Sequence, residues 1–302
     1  MRPMETVVLF LTSPLVILLA SMALFAALLR LAQHWSQLHV RVYRDFSSAE
    51  QGDWCSRVNS TIHACVIVPA MFYTLLHQEW DDDLMPLQST HLAKAFFSFS
   101  IGYFLYDLYV IVHWGVPLYK VFVVHHIVAA LPYVIYNFTP GCGIDLYLLN
   151  TFLLVEFAVL PLNIATFLEQ LGHGKTPLHS FFYYTTYVCW FGARVLLPLY
   201  NVYVMWAYLL MPMATLRASW ECVLPSAVCG HLIAAFCVGV FIFVWTPDLL
   251  AKWRAPVVEL DEYEDYKLTL RQSITPRSSP LIGSEPRRSY GTATASTPLL
   301  QA

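Results

Sequence analysis

Residues 119–136, YKVFVVHHIVAALPYVIY, are apolar enough to form one membrane-crossing helix, yet they carry two adjacent imidazoles, His125 and His126. A helix needs about 20 predominantly apolar residues to cross the hydrocarbon core. An ionisable group near mid-bilayer costs about 2.5 kcal/mol or more on insertion scales, so each one is a functional-site candidate until it is paired. At ~1.5 Å per residue the two histidines lie roughly 9 Å inside their helix.

The rest of the chain repeats the apolar pattern. Of its 302 residues 58% are hydrophobic and 12% charged, with mean hydropathy +0.55. Comparable runs lie near residues 6–29, 61–78, 92–113, 144–168, 178–210 and 222–250. The expected fold is all-α: a multi-pass transmembrane helical bundle of about seven spans, one N-terminal anchor and a six-helix domain. The expected divisions are an anchor and loop over 1–53, a membrane domain over 54–250 and a disordered tail over 251–302. Ser, Thr, Pro and charged residues in that tail bury too little apolar area to offset ordering entropy.

Lys and Arg collect on the cytosolic side of membranes. With the N-terminus luminal and the C-terminus cytosolic, only Arg2, Lys94 and Arg217 fall outside, Arg194 lies in a span, and the remaining Lys and Arg, Arg57 among them, are cytosolic. The sequon at Asn59 is then cytosolic and stays unglycosylated. Of seven cysteines, only Cys142 and Cys222 fall in outer loops, so a disulfide, if one forms, joins these two. Cys65, Cys189, Cys229 and Cys237 lie in spans and are expected to pack as small hydrophobes. In the tail, Ser289 follows Arg287 and Arg288, a context for basic-directed kinases, where phosphate adds charge.

Helical spacing sorts the buried charges onto faces. Ser100, Tyr103, Asp107 and Trp114 share one face of the third span; His126, Tyr133 and Tyr136 share one on the fourth. Glu156 and Asn163 align on the fifth, and Tyr187, Trp190, Arg194 and Asn201 on the sixth. Depth pairs Asp107 with the histidines and Glu156 with Arg194. Adjacent helical residues point about 100° apart, so one histidine can face chemistry while the other orients or packs. Two readings stay open: a buried polar network that fixes register, or a site with His125, His126 and Asp107 as catalytic candidates and Tyr103, Tyr133, Glu156, Asn163 and Arg194 as lipid-binding candidates.

Metal chemistry is disfavoured. Only His34 and His39 fit an H-x4-H box and no histidine precedes His125 at the spacing of an H-x-x-HH box, which leaves a diiron hydroxylase as a remote alternative. No metal or cofactor is expected. No Gly-rich phosphate loop or basic-aromatic surface points to nucleic acid.

The stretches DWCSRVNSTIHA (53–64), YFLYDLYVIVHWG (103–115), FVVHHIVAALPYVIY (122–136), LLNTFLLVEFAVLPLN (148–163) and WFGARVLLPLY (190–200), in that order, resemble the TLC-domain family. The resemblance is closer to the small TLC-domain-containing membrane proteins than to ceramide synthases. The synthases continue with a His-Asp pair and a further Asp where this chain has Val155, Glu156 and Phe157. The resemblance implies a role in membrane lipid homeostasis, binding or handling a lipid in a polar intramembrane cleft. The alternative it implies is an acyl-CoA-dependent lipid N-acyltransferase using His125 and His126, with acyl-CoA as co-substrate approaching near Lys120 and Arg57. Membrane lipids are the expected partners, and a homo-oligomer is compatible with the sequence. The family implies the endoplasmic reticulum; SSPLIG and STPLL in the tail offer an endolysosomal membrane as the alternative.

Overall fold

The computed structural model describes residues 13–88, 90–140, 142, 145–211 and 220–254. The start of the first apolar run, Arg217, and residues 255–302 of the expected tail with Ser289 lie outside them. Among the described residues seven helices are long and apolar enough to cross a membrane: α1 Pro14–His39, α2 Ser48–His77, α3 His91–Trp114, α4 Tyr119–Phe138, α5 Leu146–Gln170, α6 Pro177–Leu210 and α7 Trp220–Arg254. Among the described residues the only β pairing is one isolated bridge, Trp80 with Pro86.

Local chemistry sets the ends. Ser13 accepts from the Val16 N–H at 3.3 Å and Pro14 opens α1, where its missing N–H costs nothing. Ser47 and Glu50 form a reciprocal capping box that starts α2 well before the apolar run near 61–78 begins. Asp53, Arg57 and Asn59, expected before the span, therefore belong to α2 itself. Asn59 is fully buried and its amide donates to the Phe25 carbonyl at 3.1 Å, so its sequon is closed by packing rather than by a cytosolic loop. Gly115, at φ 60°, supplies the left-handed residue that ends α3.

Three helices leave α geometry just before a proline. A 3-10 turn at Leu154–Ala158 precedes Pro161 in α5, π stretches at Phe191–Leu196 and Phe241–Trp245 precede Pro198 in α6 and Pro247 in α7, and a further π stretch, Met205–Leu210, ends α6. Proline removes a donor and crowds the carbonyl four residues back, so the turn before it re-pairs at a different spacing.

The core gathers on α3. Phe97, Ile101 and Phe104 pack with Phe25 of α1, Ile67 and Met71 of α2, Tyr133 of α4 and Leu146, Leu149 and Leu153 of α5. Helix α1, expected as an anchor beside the six-helix domain, approaches α3 closely. A Cβ on Gly102 would stand 2.6 Å from the Leu18 carbonyl oxygen, and Ser21 donates to the Phe99 carbonyl at 2.6 Å. On the face where α5 begins, Cys142 and Cys222 are joined in a disulfide, with Cα atoms 5.2 Å apart. Cys229 and Cys237 are buried as expected of small hydrophobes, whereas Cys65 is exposed on the outer surface of α2.

Candidate functional site

Asp107 stands on the buried face of α3 and is held by two neighbours. Ser56 of α2 donates to its Oδ1 at 2.6 Å, and Nε2 of His126 lies 2.9 Å from its Oδ2. His126 Nδ1 faces the Phe122 carbonyl at 2.8 Å, an acceptor only, so this nitrogen carries a proton. A second proton then lies between Nε2 and the carboxylate, which makes the contact a proton-sharing pair rather than a neutral hydrogen bond.

His125 turns the other way. Its ring stands 5.6 Å from that of His126 at 88°, packs 5.0 Å from Phe236, and its buried Nδ1 has no hydrogen-bond partner. The 100° step between neighbours on a helix thus separates the two imidazoles into different environments. His125 lines a cavity and His126 does not.

That cavity, about 650 Å³ counted to its open side, runs between α4, α5, α6 and α7, with Phe104 of α3 behind it. Leu148, Leu149, Phe152, Met205 and Ile233 give it apolar walls. Apart from Tyr133, its polar groups come from two levels of the helices: His125 and Glu156 from within α4 and α5, Asp145 and Ser226 from the beginnings of α5 and α7.

Glu156 is answered by Arg194, whose Nη2 lies 3.3 Å from Oε1 and whose Nε donates to the Val155 carbonyl at 3.2 Å. The guanidinium also lies over the Trp190 ring, 4.9 Å from its centroid. This is the pairing expected from depth.

The remaining candidates divide by position. Tyr133 lines the cavity but spends its hydroxyl on the Leu149 carbonyl at 3.2 Å. Tyr103 lies outside the lining, stacked 4.0 Å from the His63 ring. Asn163 is consumed by α2: its amide donates to the Arg57 carbonyl, Ser60 Oγ and Thr61 Oγ1 at 3.1, 2.7 and 2.9 Å, and its Oδ1 accepts from Arg57 at 3.3 Å. Arg57 is held in turn by Asp53 at 2.8 Å, so it is not the free cation that an approaching acyl-CoA needs. Among the described residues no three His, Cys, Asp or Glu side chains converge as metal ligands.

Sequence reasoning passed over Asp145 and Ser226. Both are 8% exposed. Burial pushes the Asp145 carboxyl up to about 7, against smaller downward pulls from its own backbone N–H and the neighbouring Ser226 hydroxyl. Even so, Ser226 Oγ lacks hydrogen-bond geometry to any group among the described residues. Asp145 stands at the very start of the apolar run near 144–168, at the N-cap position of α5 but without a side-chain cap bond, and Ser226 is one small residue in an apolar run, so neither carried a signal.

The TLC-domain family model matches residues 53–249, most of the membrane-embedded part of the chain and all of the site. This chain belongs to the TLC-domain family. It is 28% identical over 177 residues to TLC domain-containing protein 4-B of Xenopus laevis, covering 55% of this chain and 64% of the relative. It is 27% identical over 125 residues to TLC domain-containing protein 4-B of Danio rerio, covering 41% of this chain and 46% of that one. The chain thus spans less than two thirds of the length of either relative. No solved structure matches. With seven apolar helices and this family, the chain is a multi-pass TLC-domain membrane protein.

Proposed function

We propose that this TLC-domain protein acts in membrane lipid homeostasis by holding a lipid in the cavity between α4 and α7. The observation that carries this reading is a cavity with apolar walls whose polar groups, apart from the Tyr133 hydroxyl spent on Leu149, lie at two levels of the helices, the layout of an amphiphile site. Catalysis is less well served. A transfer enzyme of the histidine type needs one imidazole that both faces the substrate and is oriented by a carboxylate. Here His126 has the carboxylate and His125 has the cavity, which favours holding over transfer.

The charge bias of the loops supports a cytosolic C-terminus, and the disulfide on the opposite face supports a luminal side there. The endoplasmic reticulum is the membrane that the family favours. Purified full-length protein is expected to carry co-extracted lipid, which mass spectrometry identifies. The same preparation, given labelled acyl-CoA and a panel of amine lipids, is expected to form no product. Product that disappears in both His125→Ala and His126→Ala would replace this reading with the acyltransferase.

A further inference from the structure

Two polar groups of the cavity, near the beginnings of α5 and α7, have no part in the histidine end. Asp145 and Ser226 line the cavity together, each more than nine-tenths buried. Among the described residues Ser226 Oγ has no hydrogen-bond partner, and no basic side chain forms an ion pair with Asp145. A buried polar atom without a partner costs about 1–3 kcal/mol, so a native fold that keeps Ser226 Oγ in that state, beside a buried carboxylate with no cation paired to it, points to something that answers both. The disulfide places them. Cys142 lies just before Asp145, and Cys222 stands one helical turn before Ser226, so the cross-link draws both groups to the same end of the cavity.

The chemistry selects the guest. An ionised carboxylate only accepts hydrogen bonds, and a serine hydroxyl donates or accepts. An anionic head is repelled there; a head that donates is bound. Along α5, Asp145 and Glu156 are separated by roughly 16 Å at ~1.5 Å per residue, room for one extended chain between the two polar ends. We infer that Asp145 and Ser226 form a head-group anchor for a single-chain amphiphile with a non-anionic, hydrogen-bond-donating head, seated with its chain running toward His125. This deepens the lipid-holding reading and rests on it.

The test uses full-length protein in phosphatidylcholine nanodiscs at pH 8 and three photoactivatable sixteen-carbon probes that differ only in a primary amine, hydroxyl or carboxylate head. The amine and hydroxyl probes are expected to label cavity residues about tenfold more than the carboxylate probe, which corresponds to about 1.4 kcal/mol. Asp145→Asn, which preserves size, is expected to abolish the preference for the amine, and Ser226→Ala to weaken the hydroxyl probe severalfold. Should Asp145→Asn fail to fold, the head-group order in wild type and the Ser226→Ala result still decide. Equal labelling by all three probes, unchanged by Ser226→Ala, overturns the anchor while leaving the cavity as a lipid site. Labelling that survives Gly230→Leu, which fills the cavity near Phe152 and Met205, overturns the lipid-holding reading itself.

Discussion

Glu156 and Arg194 meet, at 3.3 Å, where both of their helices leave α geometry: Glu156 in the 3-10 turn before Pro161 and Arg194 in the π stretch before Pro198. The prolines loosen the backbone where the charges need to converge, and the Val155 carbonyl completes the guanidinium's contacts. A 3-10 or π turn also re-aims side chains relative to the flanking helix. The pair therefore owes its position to residues that carry no charge.

Removing one member of a buried pair leaves the other charge uncompensated, at a cost of about 3–5 kcal/mol, whereas replacing both is far milder. Arg194→Met is expected to lower the melting temperature strongly, and Glu156→Gln combined with Arg194→Met to recover most of it. A double-mutant cycle on thermal unfolding in detergent measures this, and additive losses would show the pair to be uncoupled.

The two histidines should separate in the same assay. His126→Ala strips Asp107 of its principal partner and leaves only Ser56, so it is expected to cost about 3–5 kcal/mol. His125→Leu removes an imidazole whose Nδ1 has no partner, so the loss should stay under about 1.5 kcal/mol while lipid retention changes. Equal destabilisation by the two would contradict the division of roles.

Asp145 gives stability a pH dependence of definite sign. Its carboxyl is raised in the fold to about 7 from 3.8, so between these values the folded chain keeps a proton that the unfolded chain has released. The contribution is fully present below about pH 4 and is lost as pH rises through about 7. Tyr133 and Tyr136 of α4 are titratable groups near enough to feel the charge of this carboxylate, but phenols ordinarily titrate near 10 and stay neutral over this range. Melting curves from pH 4 to 8 should fall with pH in wild type and flatten in Asp145→Asn. A slope unchanged by that substitution would assign it elsewhere.

The disulfide closes a loop with a sequence separation of 80, and loss of a native cross-link costs about 2–5 kcal/mol, with long loops toward the upper end. Cys142→Ser should lower stability by an amount in that range, and non-reducing peptide mapping should recover Cys142 linked to Cys222. Asn59, fully buried, should carry no glycan in the same maps.

The spans, the Glu156–Arg194 pair, the Asp107–histidine contact and the cysteine pair were legible because each rests on hydropathy, helical spacing or depth. The early start of α2 was written in the capping box at Ser47 and Glu50, but that stretch is polar and hydropathy overlooked it. Which face of each helix lines the cavity was not legible. Tyr103 and Asn163 fall on buried faces as spacing requires, yet those faces meet α1 and α2 rather than open space, because periodicity reports burial and not what lies opposite. Asp145 and Ser226 come together only through the cross-link and the packing of α5 against its neighbours.

The most direct test feeds cells a photoactivatable lipid precursor, irradiates, purifies the full-length protein and maps the labelled peptides. Labels concentrated on the cavity-lining stretches of α4, α5 and α7, around Val128, Phe152 and Ile233, and lost in Gly230→Leu, are the predicted result. Labels confined to the outer surface, on residues such as Phe72 and Val188, with no change in Gly230→Leu, would contradict the claim that the cavity holds a lipid.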